Sequence, residues 1–377
     1  PCTMRELVCL DLPLGQTFVD RVRRAWDEGD AIFPLDQRLP LPARQAVMAA
    51  ARPTLVCDGN GDTVLEGLPV EAGDSVVVTT SGSTGTPKAV VLTQTAVEAS
   101  AHAVHARLGV TPSDHWFACL PPAHVGGLSV VLRSIVTGIP LTTAPSFSPE
   151  HYVNAAREGA TLVSLVATAL GRVDPALYRT IVLGGSRPPQ ERPANTVTTY
   201  GMTETGSGVV YDGIPLEGVE IDIRDGVIHL RCPMLMRGYR DRADGVGPDG
   251  WYRTGDIGRF LPDGRLHVEG REGDLIITGG ENVWPEQVEQ VLSTMSGVED
   301  CCVVGIADAE WGHAVHVFAV LASGRDVSLE QMREHVKSAL PAHCAPKALH
   351  VVGSIPRTAL GKPQRSVLVA SLGPDLR

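Results

Sequence analysis

The sequence contains eight cysteines, yet none forms a CxxC pair or stands at a metal-type spacing from histidine, so a zinc centre is not expected. Long apolar runs are missing as well. No stretch reaches the roughly 18 residues of a membrane-spanning helix, and the N-terminus has no signal-like pattern. These absences predict a cytoplasmic protein with reduced thiols, most of them small core residues. Basic charge is scarce: 32 Lys and Arg stand against 43 Asp and Glu, a formal net charge of −11. That balance disfavours nonspecific binding to nucleic acid or to an anionic membrane, since both need a basic face. It leaves room for a local basic pocket that takes an anionic small molecule. Internal repeats and low-complexity segments are also absent.

What is present is the balance of a globular chain with a large core: 377 residues, 43% hydrophobic and 20% charged. The length suits two or three domains, and 40 glycines with 28 prolines imply many turns. Amphipathic patterns predict helices over 17–27 and 43–51, followed by a strand at 54–56. Over 75–230 short apolar runs alternate with helical stretches, the pattern of a layered α/β core. Strands are expected at 161–165 and at 180–183, the latter running into Gly184-Gly185. Segments 219–224, 227–231 and 265–269 read as antiparallel, with Asp225-Gly226 and Asp263-Gly264 as hairpin turns. Beyond Gly270 the texture changes. Trp284-Pro285-Glu286 opens a helix, with proline tolerated in its first turn, and strands at 301–305 and 313–321 precede a helix over 328–340. The fold class is therefore α/β: a large layered N-terminal domain with parallel and antiparallel sheets, residues 1–271, and a small mobile α+β C-terminal domain, residues 272–377.

Between the apolar runs 75–78 and 89–92 lies Thr80-Ser81-Gly82-Ser83-Thr84-Gly85-Thr86-Pro87-Lys88. Glycines let backbone N–H groups approach an anion, hydroxyls add donors and Lys88 adds a point charge, so phosphate is the natural guest. The alternative is a flexible structural turn. The loop is not a Walker A motif, because Pro87 precedes the lysine and Ala89 follows it. Further stretches follow in order: Leu120-Pro121-Pro122-Ala123-His124, Thr199-Tyr200-Gly201-Met202-Thr203-Glu204, Tyr252-Arg253-Thr254-Gly255-Asp256, Gly270-Arg271-Glu272-Gly273-Asp274 and Pro356-Arg357-Thr358-Ala359-Leu360-Gly361-Lys362. Together these resemble the adenylate-forming superfamily of acyl- and aryl-CoA synthetases, adenylation domains and luciferases, over residues 30–362.

The resemblance implies ATP, Mg²⁺ and CoA as co-substrates and cofactor. In such enzymes a carboxylate attacks the α-phosphorus of ATP, pyrophosphate leaves, and the acyl group then passes to a thiol. Thr80, Ser81, Gly82, Ser83, Thr84 and Gly85 would cradle the β- and γ-phosphates, with Lys88 supplying charge. Thr203 would contact the α-phosphate, and Glu204 would hold Mg²⁺ through oxygen, as a hard cation prefers. Tyr200 would stack on adenine, Asp256 would accept hydrogen bonds from the ribose hydroxyls, and Arg271 would add a ribose or phosphate contact. Lys362 would bridge the substrate carboxylate and the α-phosphate as charge develops. The small domain would then rotate about a hinge at Gly273, where Asp or Lys is usual, and glycine can absorb such a change. Gly279 and Gly280 would line the pantetheine tunnel. His313, where Glu is usual, reads as a surface variation.

Which acid is taken turns on His124-Val125-Gly126-Gly127-Leu128-Ser129-Val130-Val131-Leu132-Arg133. This stretch is similar to the o-succinylbenzoate–CoA ligases of menaquinone biosynthesis, in which an arginine at the position of Arg133 pairs with the second carboxylate of the substrate. His124 would gate the acyl pocket, with Gly184 and Gly185 assigned to the same site. The physical case is separate: an arginine closing an apolar run needs a partner if buried, and a dicarboxylate supplies one. An internal acid or solvent are the alternative partners. The phosphate loop begins near residue 80, so the N-terminal region reads as shortened, as in a compact bacterial version of that family. The competing readings are another aryl- or acyl-CoA synthetase, an adenylation enzyme that loads a carrier-protein thiol, and a non-catalytic binding relative, which would have no need of Lys362. A homo-oligomer is compatible with the sequence, which does not give the oligomeric state.

Overall fold

The computed structural model describes residues 5–80, 87–185, 191–240, 245–357 and 363–372. By internal contacts it divides into two compact units, one within Pro1–Asp222 and His229–Arg253, the other within Ile223–Ile228 and Thr254–Arg377.

In the first unit, two seven-stranded sheets carry the helices. One runs in the order Gly238–Tyr239, Lys88–Thr93, Asp74–Thr80, Ala31–Pro34, Leu7–Leu10, Leu55–Asp58, Gly61–Val64. Its central strands pair in parallel and its edges antiparallel. The other runs Ile214–Pro215, Ser207–Tyr211, Thr196–Met202, Thr180–Leu183, Leu162–Leu165, Trp116–Ala118, Leu141–Thr143. Strands 7–10 and 31–34 are buried along their whole length, which is why they read as unbroken apolar runs rather than as alternation. Helices Gln16–Glu28 and Leu41–Ala51 stand where the apolar periodicity places them. Phe18, Val22, Trp116, Leu128 and Val131 share one continuous core.

In the second unit, Val298–Asp308 and Gly312–Leu321 form a long antiparallel pair, with Ala348–Val351 added in parallel and Ile276–Thr278 and Glu281–Val283 completing the sheet. Pro285 begins its helix in the first turn. Ser328 caps helix Leu329–Lys337 through a reciprocal box with Gln331. Asp225 and Gly226 both have positive φ, 51° and 80°, as a primed hairpin turn requires. The division by contacts falls at Arg253–Thr254, earlier than the Arg271–Asp274 segment singled out in the sequence, because helix Pro285–Leu292 packs on strand Leu266–Arg271 and draws the hairpin into the second unit. Among the described residues no helix is long and apolar enough to cross a membrane. Of the seven described cysteines, all but Cys232 are buried and all are unpaired thiols.

The strand Thr196–Met202 approaches Ser207–Tyr211 so closely at Gly201 that a Cβ there would lie 2.2 Å from the Ser207 carbonyl oxygen. Gly126, in the first turn of helix Val125–Thr137, has open space where its Cβ would be. Gly201→Ala should therefore lower stability by about 1–3 kcal/mol, whereas Gly126→Ala should leave it equal or raised. Urea unfolding of the two variants checks this, and equal losses would contradict the close-packing assignment.

Candidate functional site

The strands Asp74–Thr80 and Lys88–Thr93 form a hairpin in which Thr80 pairs with Lys88. The hairpin thus fixes both ends of the phosphate-loop candidate. Residues Ser81, Gly82, Ser83, Thr84 and Gly85 themselves lie outside the described residues, as does Lys362. Beside the hairpin, strand Thr196–Met202 delivers Tyr200 and ends in the tight turn Thr203–Thr205. Thr205, fully buried, holds this turn. Its hydroxyl accepts from the Met202 N–H at 3.0 Å and donates to the Ser207 carbonyl at 2.7 Å. The Met236 N–H donates to the Glu204 carbonyl at 2.7 Å, leaving the half-buried Glu204 carboxylate to project from the turn.

Tyr239, which sequence reasoning did not single out, connects these groups. Its hydroxyl donates to Glu204 Oε1 at 2.8 Å, and its ring lies under Lys88 Nζ, 5.3 Å from the centroid. A residue this important had no legible signal, because it sits in the two-residue strand Gly238–Tyr239, far along the chain from the strand it joins. The donor set suits a hard cation: a carboxylate with one oxygen fixed and, among the described residues, no hydrogen bond to the other.

His124 begins helix Val125–Thr137, with its backbone still extended. Its Nε2 is 3.4 Å from Asp36 Oδ2, near enough for electrostatic pairing but too poorly aligned for a hydrogen bond. Asp36 was also missed by sequence reasoning. Burial opposes its ionisation, but hydrogen bonds from Arg38 and the attraction of His124 outweigh that and hold its carboxyl well below the usual range.

Along the same helix, Arg133 is 3% exposed. Its Nε donates to the Ser129 carbonyl at 2.9 Å, and its Nη2 to Ser129 Oγ at 3.0 Å and Ser207 Oγ at 3.1 Å. The guanidinium stacks over Trp116 at 5.0 Å. No carboxylate pairs with it among the described residues, and Nη1 is buried without a partner. Burial works against its charge, partly offset by the Tyr211 hydroxyl. It forms one wall of an apolar cavity lined by Leu92, Val97, Ala101, Leu128 and Gly206. The open space is about 20 Å³, room for a single water. Behind Trp116, whose indole N–H donates to His105 Nε2 at 3.0 Å, burial and then Arg133 push the His105 pKa down to about 4.

Gly184 and Gly185 end the strand Thr180–Leu183, and Gly184 packs near Thr199 Oγ1. In the second unit, Gly255 turns the chain, Thr254 Oγ1 accepts from the Asp256 N–H at 3.0 Å, and Asp256 pairs across the hairpin with Arg271, 3.9 Å between charged atoms. Gly273, Gly279 and Gly280 are exposed there, as is His313. The structure thus gathers Thr80, Lys88, Thr203, Glu204, His124 and Arg133 in one unit, and pairs Asp256 with Arg271 in the other. Chemically, the first unit offers a cation, Lys88, and a carboxylate, Glu204, that share contacts with Tyr239, and a second, buried cation among the residues lining an apolar cavity.

His105 titrates near 4 folded and near 6.5 unfolded, so between those values the unfolded chain binds more protons. Its neutral burial costs nothing above pH 6.5 and destabilises increasingly as pH falls toward 4. Replacement by Gln should flatten that part of the urea-midpoint profile between pH 7 and pH 4; an unchanged slope would contradict the buried neutral imidazole.

Comparison with known proteins gives concordant matches. The sequence matches the AMP-binding enzyme family over residues 58–240 and the AMP-binding enzyme C-terminal domain over residues 287–362. It is 38% identical over 365 residues to a probable 2-succinylbenzoate–CoA ligase of Mycobacterium tuberculosis, covering 88% of this chain and 94% of that one. Among solved structures it is similar to o-succinylbenzoate CoA synthetase (MenE) from Bacillus subtilis in complex with the acyl-adenylate intermediate OSB-AMP, with a TM-score of 0.87 and 27% identity over 97% of this chain and 88% of that one. The same synthetase in complex with ATP and magnesium ion superimposes with a TM-score of 0.85 and 27% identity, over 97% and 90% of the two chains.

Proposed function

The chain belongs to the AMP-binding, adenylate-forming enzymes and, within them, to the 2-succinylbenzoate–CoA ligase family, and we propose that it adenylates o-succinylbenzoate and passes the acyl group to CoA, a step of menaquinone biosynthesis. One observation carries the substrate: Arg133, a buried residue whose guanidinium has an unpartnered Nη1, is among the residues lining an apolar cavity, with no described carboxylate beside it. Apolar walls fit an aromatic ring, and the arginine fits a carboxylate that does not react. The cavity is tight, so binding requires the lining side chains to part.

In this reading the other carboxylate of the acid attacks the α-phosphorus of ATP. The acyl-adenylate forms, the bond to the β-phosphate oxygen breaks, and pyrophosphate leaves; the CoA thiol then displaces AMP and loses its proton. Thr80 to Gly85 and Lys88 hold the β- and γ-phosphates, and Thr203 contacts the α-phosphate. Tyr200 stacks on adenine, while Asp256 and Arg271 hold the ribose. Lys362 stabilises the charge that develops between the reacting carboxylate and the α-phosphate. Glu204 holds Mg²⁺, which when bound neutralises phosphate charge. His124, steadied by Asp36, borders the acyl site with Gly184 and Gly185. Residues 272–377 act as the lid domain; Gly273 is the hinge about which it turns between the half-reactions, and Gly279 and Gly280 line the thiol tunnel. Unpaired, mostly buried thiols suit the cytoplasm.

Arg133→Leu should raise KM for o-succinylbenzoate about 10–100-fold, the loss of a charged hydrogen-bonded pair, and leave KM for benzoate unchanged. Steady-state pyrophosphate release measures both, and equal losses would remove the counter-charge argument. For Lys362→Ala, adenylate formation should fall by about 100-fold or more with ATP affinity retained by calorimetry; normal pyrophosphate release would refute the role. Gly273→Pro should spare adenylation and slow thioester formation, as single-turnover assays of the two half-reactions would show. If both half-reactions kept their rates, the hinge would lie elsewhere.

A further inference from the structure

We infer that Tyr239 is a positioning residue for the metal carboxylate: its hydroxyl fixes one oxygen of Glu204 so that the other is presented to Mg²⁺, an inference that rests on the proposed role of Glu204. The hydroxyl donates to Glu204 Oε1 at 2.8 Å. The Tyr252 hydroxyl is 3.3 Å away, and with the Tyr239 proton committed to the carboxylate, Tyr252 is the donor of that pair. The result is a relay, Tyr252 to Tyr239 to Glu204, that sets the rotation of the carboxylate. A carboxylate held at one oxygen loses little further freedom when a cation takes the second, and groups that orient a ligand in this way raise metal affinity.

The relay is itself held firmly. Gly238 and Tyr239 pair with Val91 and Val90, and the flanking Arg237 and Arg240 N–H groups donate to the Val91 and Ala89 carbonyls at 2.9 Å. Arg237 anchors the segment from the other side. Its Nε and Nη2 donate to Asp74, 4% exposed, at 2.8 and 2.9 Å, and its Nη1 to Glu71 at 2.8 Å. Asp74 and Lys88 belong to the two strands of the hairpin that ends in the phosphate-loop candidate. One rigid attachment therefore fixes the tyrosine ring under Lys88 and its hydroxyl on Glu204, tying the position of the phosphate-side cation to that of the metal carboxylate.

Tyr239→Phe keeps the ring under Lys88 and removes only the hydroxyl. The test is Mn²⁺ affinity of the enzyme–ATP complex, read by electron paramagnetic resonance, for the full chain, Tyr239→Phe and Glu204→Gln. The expected result is affinity weakened about 10-fold by Tyr239→Phe and more by Glu204→Gln, with thermal unfolding of nucleotide-free Tyr239→Phe unchanged. In turnover, the Mg²⁺ requirement for pyrophosphate release should rise by the same factor at an unchanged saturating rate. If Glu204→Gln weakens Mn²⁺ and Tyr239→Phe does not, the positioning role is overturned while the Glu204 assignment stands. If Glu204→Gln leaves Mn²⁺ affinity unaltered, the metal assignment falls and the positioning role with it. A lower saturating rate with an unchanged Mg²⁺ requirement would also overturn it.

Discussion

A single buried cation stands out in the first unit, and in the proposed function it organises the acyl side. Arg133 sits at 3% exposure with its guanidinium over Trp116 and its hydrogen bonds going to serine oxygens and a backbone carbonyl rather than to an acid. Burying a charge without an opposite one is costly, a cost that the carboxylate of the proposed substrate would offset. The surroundings keep that charge available. Trp116 offers its π face, His105 behind it stays neutral, and Tyr211 contributes a hydroxyl whose own ionisation burial suppresses. A carboxylate among these neighbours would have neutralised the arginine; neutral donors and acceptors hold its geometry and leave its charge uncompensated among the described residues.

Around this cation the first unit separates two tasks along one strand turn. Ser207, which holds Arg133, immediately follows the turn Thr203–Thr205 and Gly206, and Glu204 of that turn accepts from Tyr239, whose ring lies under Lys88. Ser207, which holds the proposed acyl anchor, and Glu204, the proposed metal carboxylate, thus lie close together in one short segment. That segment is kept tight by the Thr205 hydroxyl and by the missing side chain at Gly201. In the proposed reaction a shift of that segment would disturb both the acid and the phosphate, which must be held in near-attack geometry.

Much of this was legible in the sequence, for identifiable reasons. Residues 75–78 and 89–92 read as strands because fully buried strands show unbroken β-branched runs, and they belong to the hairpin that flanks the phosphate-loop candidate. Arg133 could be singled out because a charge among Leu128 to Leu132 violates the pattern of its own helix. Tyr239 and Asp36 carried no such violation. A tyrosine after glycine and an aspartate after leucine are ordinary neighbours, and each acquires its meaning from a partner brought close by the fold: Glu204 for the first, His124 for the second. The compact-unit division was obscured for a similar reason. A hairpin reads the same whichever body its outer face packs on, and only the helix Pro285–Leu292 decides that.

The role of Arg133 is tested by pyrophosphate release with ATP, Mg²⁺ and a panel of acids, o-succinylbenzoate, benzoate and a short monocarboxylate among them, with and without CoA. A buried arginine awaiting a carboxylate predicts strong selectivity for o-succinylbenzoate and its conversion to the CoA thioester. Equal or better turnover of the monocarboxylates would contradict the account, leaving the adenylation chemistry in place and Arg133 as a structural cation.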